Sequence, residues 1–174
     1  MRALLFTTIL LLVVACGKET EDEAMNGQVA DPCGVVSGIH TTDNNGVLMY
    51  PYDTTDWQPF EDWCPAVDAL FAGLTPVTIA SDAPDSLLII AYPNPTDDQF
   101  MLIFLRDDTS YVDLRFTDDQ FHLLWSVDSL IDDHLLVHTD SLGIASPQLV
   151  RAYYRVVHTD GSAHRGHGDV KVDP

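Results

Sequence analysis

The chain has 174 residues, with 27 acidic against 8 basic side chains and a formal net charge of −19. Such a surface repels nucleic acid and anionic lipid headgroups, so neither is an expected partner. Divalent cations, cationic ligands and basic proteins stay open, beside the plainer account that an acidic exterior keeps a β-rich protein soluble and discourages edge pairing.

At the N-terminus Arg2 supplies a positive charge, Ala3 to Ala15 is almost wholly apolar, and Cys16 follows a small residue. That is the layout of a secretory signal peptide over residues 1–15. The apolar run is too short for a bilayer, which needs ~20 residues. Val13-Val14-Ala15-Cys16 resembles the lipobox of bacterial lipoproteins. The resemblance implies that Cys16 is the lipidation site: a diacylglyceryl thioether and an N-acyl (palmitate-type) chain on a new N-terminus. Each buried methylene contributes about 0.8 kcal/mol, so two or three chains anchor stably where one does not. An ordinary signal peptide that happens to contain a Cys is the alternative. The implied location is the cell envelope, anchored at the outer membrane, on its periplasmic or its surface face.

Residues 16–30 begin with Lys18-Glu19-Thr20-Glu21-Asp22-Glu23 and lack hydrophobic periodicity, which predicts an acidic disordered tether. With Cys16 lipidated, Cys33 and Cys64 remain, an even count in an oxidising compartment. A disulfide between them is expected and contributes roughly 3–4 kcal/mol in the chain-entropy account. Two thiols, or a catalytic thiolate, is the competing reading; neither Cys lies in a C-x-x-C pair.

Residues 31–85 predict a small disulfide-stapled region. Val47–Tyr50 and Val77–Ile79 read as short strands. Between them Asp62 is a candidate cap, Pro65 falls in a first turn, Val67, Leu70, Phe71 and Leu74 share a face, and Gly73 is a candidate stop, which together predict a short amphipathic helix. Trp57, Phe60 and Trp63 form either a carbohydrate-stacking platform or a small core around the disulfide, and the core is the expected outcome.

Residues 86–174 show clear period-two patterning. Strands are predicted over Leu87–Tyr92, Gln99–Leu105, Tyr111–Thr117, Phe121–Val127, His134–Thr139, Ala152–His158 and Gly168–Val172. Short strands at spacings of about 8–12 residues with polar turns predict an all-β fold, an Ig-like Greek-key β-sandwich.

Tyr92-Pro93-Asn94-Pro95, followed by the alternating strand to Leu105, the strands of Val112–Val127, Tyr153–Val156, the turn Asp160-Gly161 and Val170-Lys171-Val172, resembles the type IX secretion C-terminal sorting domain. The resemblance spans about half of the chain and implies the same sandwich fold and a sorting role. It departs from the family at Arg151-Ala152, where Gly usually precedes the aromatic, and a lipobox is an unusual companion for that signal.

Signatures of catalysis are absent from the sequence: no G-x-S-x-G, no P-loop, no G-x-G-x-x-G and no H-E-x-x-H. His134 and His138 are four apart. On a strand rising ~3.3 Å per residue their rings stand about 13 Å apart, too far for one zinc ion with bonds of ~2.0–2.1 Å. His164 and His167 point to opposite faces unless Gly166 makes a bulge, and all four are expected as surface imidazoles. The pairs Asp97-Asp98, Asp107-Asp108, Asp118-Asp119 and Asp132-Asp133 sit at strand boundaries, where turn chemistry is expected over calcium binding.

The sequence therefore predicts a lipid-anchored envelope protein presenting an acidic sandwich as a binding or structural module, with no catalytic residues, no metal and no cofactor. Its expected partners are the membrane, through the anchor, and a protein or glycan. Secretion cargo with a type IX sorting domain is one alternative; a metal-dependent enzyme with ligands assembled across the fold is the other.

Overall fold

Alternation dictates the framework. In the computed structural model, which describes residues 38–50, 53–59, 62–81, 84 and 86–174, the run Gln99–Leu105 buries Phe100, Leu102 and Phe104 and turns the residues between them outward. The signal segment, Cys16, the tether, Cys33 and Phe60 lie outside the described residues.

In chain order the elements are helix α1 (Pro65–Leu70) and strands β1 (Thr78–Ile79), β2 (Leu88–Tyr92), β3 (Gln99–Leu105), β4 (Tyr111–Thr117), β5 (Leu123–Leu130), β6 (His134–His138), β7 (Gln148–Val157) and β8 (Ser162–Val172), with a 3-10 turn over Thr139–Leu142. They form two sheets, ordered β1-β8-β7-β4-β5 and β2-β3-β6. Apolar residues of both close on one core: Ile89, Leu102 and Phe104 from the smaller sheet meet Leu114, Phe116, Tyr154 and Val170 from the larger. This is the all-β sandwich that the alternation predicts.

Several elements depart from expectation: β5 starts at Leu123 and runs on to Leu130, and β7 starts four residues early at Gln148. The helix begins one residue after Cys64, which takes the N-cap position at φ −73° and ψ 162° with no capping hydrogen bond from its side chain, so Asp62 is not the cap. Proline at N1 lacks an N–H, and the Cys64 carbonyl already accepts from Val67 and Asp68 N–H at 3.0 Å each. The turn at Phe71, not Gly73, ends it. Val47–Tyr50 is no strand: Leu48 makes a single bridge to Thr42, and the four residues lie exposed. Finally, β8 starts six residues before the expected Gly168 and pairs with β7 in unbroken register from Val157↔Ala163 to Gln148↔Val172, with no bulge at Gly166.

The outer face of the larger sheet is covered by α1. Trp63, Val67 and Phe71 pack on Tyr153, with Trp63 and Phe71 stacked at 4.6 Å. Arg115 donates from Nε to the Leu70 carbonyl at 2.9 Å and from Nη1 to Asp128 at 2.6 Å, tying the end of α1 to β4 and β5. Arg115 and Arg155 both place their guanidinium carbons over the Phe71 ring, at 5.0 and 5.8 Å. Beside them Arg155 and Asp113, both buried, pair at 2.7 Å. No helix among the described residues is long and apolar enough to cross a membrane.

Candidate functional site

Beyond Ala163, strand β8 runs past the end of β1, and its open side is sealed by pieces from elsewhere in the chain. Trp57 N–H donates to the His167 carbonyl at 2.7 Å, and Asp169 N–H donates to Asp56 Oδ1 at 3.0 Å. Asn94 follows: its amide nitrogen donates to the Asp169 carbonyl at 2.8 Å, and its amide oxygen accepts from Lys171 N–H at 2.9 Å. Thr96 completes the edge with a parallel bridge to Val172.

The seat of Trp57 explains the glycines of His164-Arg165-Gly166-His167-Gly168. A Cβ on Gly168 would overlap the indole ring of Trp57, and one on Gly166 would overlap the Gln58 carbonyl and the Tyr154 hydroxyl. Trp57 adopts φ +60° and stacks on Tyr154 at 6.3 Å, while the Tyr154 hydroxyl donates to Gln58 O at 2.8 Å. The inner face of this half of β8 thus receives its apolar filling from a residue about 110 positions earlier.

This docking assembles a polar constellation. Asp56, His167 and Asp169 are all buried, and one ligand-type atom from each lies within 4.8 Å of the others. Asp56 Oδ2 also accepts from His40 N–H at 2.8 Å, and Arg151 Nε donates to Asp169 Oδ1 at 3.2 Å. Asp169 Oδ2 is buried with no hydrogen-bond partner among the described residues. Burial, reinforced by the neighbouring Asp169 charge, pushes the Asp56 carboxyl up to about 8. Burial also raises Asp169, to about 6, against the opposing pull of Arg151.

Next to Asp56 and Trp57 lies a cavity of about 260 Å³ along the outer edge of β2. Its walls are Leu88 to Ala91 on one side, Thr42, Gly46 and Leu48 on another, and His40 and Gln58 above. Val47, Leu48, Met49 and Tyr50 stand exposed beside it, Tyr50 at 89 %. The turn beneath them is built by Asp43, whose carboxylate accepts from Asn45 N–H at 2.8 Å and Val47 N–H at 2.9 Å.

The residues singled out by sequence fall as follows. Cys64 heads α1, and its expected partner Cys33 is outside the described residues. His134 and His138 are exposed on β6 and do not converge. His164 and His167 are not surface imidazoles: both are buried, His164 beside His158 at 3.0 Å and His167 in the constellation. The covering of β8 and of the outer sheet face is the reason. Trp57 and Trp63 do not share one cluster either; Trp57 enters the main core, and Trp63 packs under α1. Among the Asp pairs, Asp107 and Asp118 bond backbone N–H groups two residues on, as turns require. Asn94 of the Tyr92–Pro95 tetrapeptide is wholly buried and bridges the His40 carbonyl to β8. Asp56 and Asp169 were not anticipated; the one sequence signal is a His-Gly-Asp run in a glycine-flanked strand.

No protein-family model and no curated protein matches the chain. Among solved structures it is similar to the crystal structure of CopC from Methylosinus trichosporium OB3b, at 20% identity over 51% of this chain and 94% of that chain, with a TM-score of 0.35. The likeness is loose, and neither the fold nor the site rests on it.

Proposed function

We propose that this is a lipid-anchored cell-envelope protein whose acidic sandwich acts as a non-catalytic binding module, taking an extended apolar segment of a partner protein along β2. The observation that carries the reading is the cavity at the β2 edge, in whose wall stands Leu48, one of four consecutive exposed apolar residues from Val47 to Tyr50. Contiguous exposed apolar surface beside a concave site is the mark of an interaction site, and an edge strand supplies backbone groups for an incoming strand. Among the described residues β2 pairs with β3 on one side; on the other, Thr42 caps its far end, bonding the Ala91 carbonyl at 2.7 Å and bridging Asn94, and no strand pairs with Leu88 to Ile90. The volume suits one or two large side chains.

The anchor at Cys16 belongs to the same proposal, supported by the lipobox-like Val13–Cys16 and the acidic stretch after it. A Cys33–Cys64 bridge would fasten the segment before His40 to α1.

Titrating the protein with a panel of extended apolar peptides tests the site, with indole fluorescence as readout because Trp57 lines the cavity. Saturable binding by part of the panel, lost in Leu48→Asp and silent in Trp57→Phe, is expected. Absence of saturable binding, or binding indifferent to Leu48→Asp, overturns the reading. Membrane fractionation of Cys16→Ser tests the anchor separately, with release into the soluble fraction expected.

A further inference from the structure

We propose that Asp56, His167 and Asp169 bind one divalent transition-metal ion, at a site that adjoins the cavity through Asp56 and does not rest on the peptide reading. Backbone pairing brings the three together rather than chance crowding: Trp57 N–H bonds the His167 carbonyl, and Asp169 N–H bonds Asp56, so the loop and β8 are held in register on both sides of the cluster. The donor atoms lie within 4.8 Å of one another. Bonds of ~2.0–2.1 Å put tetrahedral donors about 3.3 Å apart, so each need move inward by roughly an ångström at most.

A second observation is independent of that grouping. Asp169 is fully buried, and its Oδ2 has no hydrogen-bond partner among the described residues. A carboxylate oxygen taken from water and left without a donor is costly. Arg151 bonds the other oxygen, Oδ1, and Asp56 brings a further carboxylate to within reach. A divalent ion satisfies the orphaned oxygen and offsets the juxtaposed acids in one step.

The donor set also selects the class of ion. Calcium takes six to eight oxygens, and an imidazole with two carboxylates is a poor cage for it. One nitrogen and two oxygens suit zinc, manganese(II) or cobalt(II). Asp56 lines the cavity, which gives the ion a route in.

The test uses the full-length protein in detergent, stripped with chelator and then titrated with zinc by calorimetry, with calcium in parallel. One equivalent of zinc with a rise in Tm, and no response to calcium, is expected. Asp169→Asn and His167→Gln should each weaken zinc binding at least tenfold, while the double change His134→Gln/His138→Gln leaves it unaltered. Should the buried variants fail to fold, cobalt(II) added to the unmodified protein localises the ion by paramagnetic shifts. Shifts centred on His167, Gly168 and Trp57 support the site. Shifts centred on His134, His138 or the His158–His164 pair overturn it, as does the lack of stoichiometric binding.

Discussion

Trp57 occupies the space that a side chain on Gly168 would need: a Cβ there would come far inside the 3.4 Å of ordinary van der Waals contact with the indole ring. One glycine thereby fixes where the loop of residues 53–59 docks, and with it the positions of Asp56 and the cavity wall.

Gly168→Ala should therefore cost about 1–3 kcal/mol of stability or more by overpacking, and Trp57→Ala about 3–5 kcal/mol by the void it leaves. Combining them should cost clearly less than the sum, because the smaller residue makes room for the added methyl. Urea denaturation of the four proteins checks this. Simple additivity would mean that the two residues do not share one space.

Asn94 ties the His40 segment to β8 through one amide, donating to the His40 and Asp169 carbonyls and accepting from Lys171 N–H. Asn94→Ala strands these groups in a buried place and should cost roughly 3 kcal/mol. Asn94→Asp should be at least as damaging at neutral pH, since it loses both donated bonds and adds an anion near Asp169. Thermal unfolding at neutral pH ranks the two variants; a neutral Asn94→Ala would remove the linking role.

Arg155 and Asp113 form a buried pair at 2.7 Å beneath Phe71. Removing one partner leaves an uncompensated charge, so Asp113→Leu or Arg155→Met alone should cost about 3–5 kcal/mol. Joint replacement should recover much of that loss. A double-mutant cycle by chemical denaturation measures it, and a coupling near zero would contradict the pairing.

At the mouth of the cavity, the Val47 and Asn45 backbone N–H bonds hold the Asp43 carboxyl below its ordinary value of 3.8. Because the folded value is the lower one, the turn gains stability that is complete above 3.8 and is lost as pH falls through the folded value. The Asn45 and Val47 amide resonances should titrate with a midpoint under 3.8, and Asp43→Ala should abolish that titration. A midpoint at or above 3.8 would remove Asp43 as the support of this turn.

How much of this could be read beforehand follows from where the apolar filling comes from. The strands from Leu88 to Thr117 fill the core with their own alternating side chains, so their sequence discloses them. The middle of β8 does not, because its inward positions 166 and 168 are glycines, covered by Gln58 with Tyr154 and by Trp57, and its outward Arg165, His167 and Asp169 look like solvent-facing polar residues. Val47 to Tyr50 shows the converse: an apolar run with the composition of a strand that lies exposed. The constellation was illegible for a simpler reason, since Asp56 and Asp169 bond across a separation of 113 residues.

The dependence of β8 on distant segments sets the order in which the molecule can be completed. Residues 56–57, 78–79, 94 and 96 each close part of the margin of β8, so none of these junctions forms before residues 162–172 are in place. Contacts of such long sequence separation form slowly, so the closure of β8 is expected late in folding.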